Sequence, residues 1–253
     1  MKREGRGTID EAQVAHFDGD EGGRWAPEGP ARWLHRYNLV RVPYIRDAAC
    51  SAFGRDAGGA VPLRGLRILD IGCGAGILCE PLARLGASVV GVDPAENTIQ
   101  LAALRSRREG LDVEYRSDTA EALAEAGERF DLVLAMEVIE HVSDHCLFLR
   151  TCAGLAGSNG LVILSTINRT VRSWIQAIGI GEYVLGLLPR GAHQWSRFVK
   201  PDEIQEELSR TGMRVIDVRG VTMNLRTRSM QLSTKTAVNY ILTSQGDSRS
   251  SRP

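Results

Sequence analysis

The chain lacks any long apolar run. Its most apolar stretch, Trp174–Leu188, is interrupted by Gln176, Glu182 and three glycines, and falls short of the roughly 18 residues that a membrane-spanning helix needs. It also lacks a charge excess. Thirty-one basic residues balance thirty-one acidic ones, which argues against a nucleic-acid partner and requires any membrane affinity to be local. No Cys-x-x-Cys pair exists, and the five cysteines (Cys50, Cys73, Cys79, Cys146, Cys152) are odd in number. A disulfide framework and a zinc knuckle are both excluded, and a reducing compartment is expected. Acids rather than an apolar run follow Met1–Gly7, so no secretory signal is expected. What remains is ordinary for a soluble globular protein, and 253 residues fit one large domain, with room for an insertion.

Residues 1–30 are polar and glycine-rich and read as mobile. From Arg32 to Phe53 apolar residues recur at helical spacing (Leu34, Tyr37, Val40, Tyr44, Ile45), which predicts one or two helices. After a Gly/Ala/Pro linker, strands and helices alternate. Strands are predicted over 67–71, 88–93, 113–116, 130–136 and 161–166, with helices over 77–85, 96–109, 120–126 and 145–156. Such alternation means βαβ units: an α/β fold with a mostly parallel, Rossmann-like sheet and helices on both faces. The pattern then breaks at an apolar, aromatic insertion over 168–198. A helix over 201–211 and strands over 213–220 and 238–243 follow, the last two read as an antiparallel hairpin at one sheet edge. The tail, 245–253, is polar and expected to be disordered.

The first predicted strand runs into Asp70 and then Gly72, Gly74 and Gly76. The second closes on Asp93, where the hydroxyls of a ribose would lie. The glycine spacing differs from the Gly-x-Gly-x-x-Gly of dinucleotide sites. A buried acid just before the turn would repel a pyrophosphate but suits a cationic amino-acid ligand. S-adenosylmethionine (SAM), with its sulfonium and ammonium, is such a ligand. An ordinary strand-to-helix turn is the plainer reading.

The fourth strand ends in Met136-Glu137-Val138-Ile139-Glu140-His141, at the sheet edge where ligands of open α/β folds bind. If Glu137 begins a helical turn, Glu140 and His141 share its face. The three could hold a divalent cation or act in acid–base catalysis; a solvated helix start with acids on its dipole is the alternative. Asp118 could reach an adenine amino group or cap the next helix. Cys73 reads as small filler and His145 as a surface residue. The insertion, with Trp174, Tyr183 and Leu187 between Arg169, Arg172 and Arg190, is either a cap on the core or a membrane-surface segment.

These segments resemble the ubiquinone-biosynthesis O-methyltransferase family of class I SAM-dependent methyltransferases. The resemblance rests on 34–41 (Leu-His-Arg-Tyr-Asn-Leu-Val-Arg), 68–76, 136–142 and above all 165–170 (Ser-Thr-Ile-Asn-Arg-Thr), continuing to His193, and it spans about residues 30–244. It implies SAM contacts at Arg41, Gly72, Asp93 and Met136, to which the motif reading adds Asp70, Gly74 and Asp118. It implies a magnesium-type site at Glu137, Glu140 and His141, which are also the candidate catalytic residues. It further implies a polyprenylated phenol or quinol as acceptor, a helical lid over 31–53 and membrane contact through 168–198. Other enzymes of the same pathway are possible partners, and the cytoplasmic face of an inner membrane is the expected location. The rivals are a methyltransferase for another small hydroxylated acceptor, a non-catalytic SAM-binding scaffold and a nicotinamide oxidoreductase.

Overall fold

The structure, a computed structural model, describes residues 7–10, 14, 18, 23–170, 173, 197–224, 227 and 229–247. The helices among these are α1 (Arg32–Ala52), α2 (Cys79–Arg84), α3 (Glu96–Arg108), α4 (Ala120–Glu125), α5 (His145–Ala156) and α6 (Pro201–Arg210). The strands are β1 (Arg67–Ile71), β2 (Ser88–Val92), β3 (Val113–Arg116), β4 (Leu132–Met136), β5 (Leu161–Ile167), β6 (Met213–Met223), β7 (Met230–Ser233) and β8 (Asn239–Gly246). They form one sheet in the order β3-β2-β1-β4-β5-β8-β6-β7. The first five strands are parallel and the last three run antiparallel to their neighbours.

The central strands are apolar on both faces because helices cover both. Alternation divides their residues between two cores. Leu69, Val133, Ala135, Val162 and Leu164 pack with α4, α5 and α6. Ile68, Leu132, Leu134, Leu161 and Ile163 face the other way, toward α1, α2 and α3. Helix α1 is a single helix that runs through Pro43. The ring lies on the exposed side, so the hydrogen bond it removes is lost where water can replace it.

The C-terminal part differs from the sequence reading. β7 was not foreseen, and it forms the edge hairpin with β6. β8 lies inside the sheet between β5 and β6. Its run Tyr240–Ser244 is wholly buried and needs cover on both faces, whereas β7 exposes Gln231 and Leu232 and suits an edge. Gln245 and Gly246, expected in a disordered tail, complete β8.

Candidate active site at the carboxyl edge of the sheet

The carboxyl ends of β1 to β5 collect most of the residues singled out in the sequence. After β1 the chain turns through Gly72 and Gly76, with φ of +66° and +75°. A Cβ at Gly72 would stand 2.6 Å from a Val138 methyl, and one at Gly76 would overlap the Tyr115 hydroxyl. Glycine is therefore demanded by both backbone and space. Asp93, just past β2, accepts from the backbone N–H of Gly74 at 3.0 Å and of Ala95 at 2.9 Å. Both carboxylate oxygens are thus oriented, and burial pushes the group up from its usual range.

Asp70 is buried in β1 and accepts from the Cys79 thiol at 3.2 Å. Burial pushes its carboxyl up to about 7, so a neighbouring cation would favour its ionised form. Cys73 is buried, with its thiol pushed up by desolvation, as filler would be. Asp118 does not cap α4. Thr119 does, accepting from Ala122 at 3.1 Å, while Asp118 accepts from the Thr119 N–H. His145 opens α5 half-buried rather than on the open surface.

The end of β4 differs most from the expectation. Glu137 has φ of +59°, the one positive value outside glycine among the described residues. It lies in left-handed backbone and starts no helix; a 3₁₀ turn follows over Ile139–His141. Its carboxylate accepts from Ser165 at 2.6 Å and from buried Arg41 at 2.9 Å. Glu140 is buried and accepts from Thr166 at 2.7 Å. Ser165 and Thr166 are consecutive in β5 and so point to opposite faces. The two carboxylates are drawn to opposite sides of one strand end, and the shared helical face drawn from sequence does not form. Among the described residues no three His, Cys, Asp or Glu side chains converge closely enough to hold a metal ion.

Three buried polar atoms here make no geometric hydrogen bond among the described residues: the Tyr37 hydroxyl, Arg41 Nε and Glu140 Oε1. The Arg41 guanidinium lies 3.8 Å from the Tyr37 ring centroid. Burial, and after it the charge of Glu137, push Glu140 up to about 8. Unpaired buried polar atoms are costly, and a cluster of them at a sheet edge is what a bound ligand would relieve. Met136, buried, ends β4 directly before this group. Sequence reasoning used Ser165 and Thr166 only as family markers. Two adjacent hydroxyls ending an apolar strand were the available sign that they hold the carboxylates.

The N-terminal segment makes polar contacts with the body of the protein at its described residues. Thr8 donates to Glu121 at 2.6 Å, and its carbonyl accepts from the Ser143 N–H at 2.8 Å. Asp10 pairs with Arg197 at 2.7 Å, and Asp18 accepts from the Asn97 N–H at 2.9 Å. Most of the insertion, 171–172 and 174–196, lies outside the described residues, as do 248–253.

An open α/β sheet with an oriented acid after β2 and a glycine turn after β1 has the layout of a nucleoside-binding fold. A methyltransferase-domain family model matches residues 43–218. The fold agrees with magnesium protoporphyrin IX methyltransferase from Synechocystis PCC 6803, solved with SAH (S-adenosylhomocysteine), at 22% identity, TM-score 0.60 and coverage of 93% and 94% of the two chains. It also agrees with the plantazolicin methyltransferase BpumL, at 12% identity, TM-score 0.61 and coverage of 93% and 90%. Curated ubiquinone biosynthesis O-methyltransferases are far closer in sequence. That of Rhizobium etli is 48% identical over 96% of this chain and 98% of its own length; that of Brucella anthropi is 46% identical over the same shares. The chain belongs to the ubiquinone biosynthesis O-methyltransferase family.

Proposed function

We propose that the protein transfers the methyl group of SAM to a phenolic hydroxyl of a polyprenylated ring, of the hydroxyphenol or demethylubiquinol kind. The observation that carries this is the buried Glu140, with one bare oxygen, beside Arg41 and Glu137 at the edge where the glycine turn and Asp93 would hold a nucleoside. Asp93 would take the ribose hydroxyls, and Asp70 would favour the cationic methionine portion of the donor. Asp118 is the proposed partner of the adenine amino group. Gly72, Gly74, Met136 and Arg41 would border the same ligand.

The reaction is an in-line displacement. An oxygen lone pair of the acceptor forms the new O–C bond while the C–S bond breaks. The bonding pair passes to sulfur, which leaves as the neutral thioether of SAH. A phenol has a pKa of roughly 10, so its proton must be taken by a base. Glu140 and His141 are the proposed acceptors of that proton. The body of the enzyme contributes by holding the three reacting atoms in line.

A divalent cation, magnesium by the donor chemistry, belongs to the same proposal. Glu137, Glu140 and His141 would hold it once the two carboxylates, drawn to opposite sides of the β5 end in this structure, turn to a common side; the Glu140 Oε1, without a hydrogen-bond partner among the described residues, supports this. When bound, it would supply positive charge that favours the ionised acceptor. The test is transfer of labelled methyl from SAM to a short-chain catechol. Transfer is expected, with a drop of at least tenfold when metal is chelated. No transfer would overturn the acceptor reading; undiminished transfer with chelator would remove the cation.

Membrane contact is a further part of this reading. No helix among the described residues is long and apolar enough to cross a membrane. Support for surface contact comes from the apolar and aromatic sequence of 174–188 flanked by arginines. The full chain is expected to sediment with anionic vesicles, and a chain lacking 174–190 to stay in the supernatant. Equal sedimentation of the two would sink the idea.

A further inference from the structure

Trp25 belongs to neither hydrophobic core, yet it is half-buried and its position is closely set. Around it the chain folds into a turn, with the Gly29 N–H donating to Ala26 and the Ala31 N–H to Arg24, each at 2.9 Å. The Trp25 carbonyl accepts from His35 on α1 at 3.0 Å and from Arg105 on α3 at 3.5 Å. Arg105 is paired in turn with Glu80 of α2 at 3.3 Å. Side chains from two helices therefore hold one backbone carbonyl, one of them paired in turn with a third helix. The result is to lay the indole on the glycine turn: a Cβ at Gly74 would stand 3.1 Å from Cη2 and 3.4 Å from Cζ3. Gly74 is also the residue whose N–H orients Asp93.

The Arg24 guanidinium stands 6.0 Å from the indole centroid, the outer limit of a cation–π contact, so the ring, outside either core, gains little from its surroundings in the unliganded protein. A flat nucleoside lying against the turn would give it a partner, since aromatic faces stack on bases and sugars without needing hydrogen bonds. We propose that Trp25 is a cofactor-contacting residue whose indole roofs the donor pocket at its nucleoside end, over the Gly72–Gly76 turn. This rests on the reading of SAM as the donor. Because SAM and SAH carry the same nucleoside, Trp25 contributes equally to both. It does not recognise the sulfonium charge.

Calorimetric titration of the full-length protein with SAM and with SAH tests this. Trp25→Ala is expected to weaken both ligands about tenfold and by the same factor, and Trp25→Phe to stay within threefold of wild type. In steady state Trp25→Ala raises KM for SAM while kcat at saturating SAM stays within twofold. Ligand-induced change in tryptophan emission falls by at least half in Trp25→Phe, a variant that keeps the aromatic contact and the fold. Unchanged affinity, tighter binding (the indole filling the donor's own place) or a loss confined to SAM would each overturn the proposal, as would an undiminished emission response in Trp25→Phe. If the wild type binds neither compound, the donor reading itself falls. A difference between wild type and variants bears on Trp25 alone.

Discussion

Replacing Glu140 by glutamine is expected to lower kcat for a catechol acceptor by two to four orders of magnitude, the span associated with loss of a positioned acid–base group. KM for SAM should stay within twofold. The substitution is informative because it separates chemistry from folding. Burial, and after it the charge of Glu137, raises the Glu140 carboxyl to about 8, so the fold readily accommodates the protonated form, which glutamine copies in shape and charge. The Thr166 hydroxyl, 2.7 Å from one carboxylate oxygen, still finds an acceptor in the amide carbonyl. Only the bare Oε1, which makes no hydrogen bond among the described residues, is replaced by a group that can neither take a proton nor bind a cation. Urea unfolding of the unliganded variant should therefore match wild type within about 1 kcal/mol. A variant that turns over within threefold of wild type would show that neither a proton nor a cation is handled by Glu140.

Much of this site was legible in the sequence, and the part that was not has a physical cause. The β1 turn could be read because its glycines answer a local requirement: left-handed backbone at Gly72 and no room for a Cβ beside Val138. Asp93 could be read because it ends a buried strand two elements later, and the βαβ pattern fixes which edge it reaches. Glu137 could not be placed. Its carboxylate is held by two groups distant in sequence, Arg41 and Ser165, toward one face of β5. Helical spacing is a local argument and cannot see them. The same holds for β8, whose insertion between β5 and β6 depends on burial of both faces. The predicted parallel core was correct because the alternation of apolar strand and helix is repeated along the chain.

Loss of Arg41 should strongly destabilise the unliganded protein. It is 3% exposed, lies 2.9 Å from Glu137 and 3.4 Å from the Ser165 hydroxyl, and rests over the Tyr37 ring. Glu137 and Glu140 are two carboxyls on one short segment, and the charge of Glu137 disfavours ionisation of Glu140. Arg41 lowers the proton affinity that Glu137 raises at Glu140. Arg41→Ala removes the cation and leaves Glu137 with Ser165 as its recorded polar partner, a change expected to cost about 3–5 kcal/mol in urea unfolding. Removing both charges is a different perturbation. Arg41→Met with Glu137→Gln keeps the volume, deletes the uncompensated carboxylate and should recover most of that loss. Arg41→Lys should fall between, because a lysine keeps the charge but cannot lie as a plane over Tyr37 while reaching Glu137 and Ser165 together. An Arg41→Ala variant within 1 kcal/mol of wild type, or a double variant no more stable than the single, would mean that the pair does not hold the two carboxylates apart.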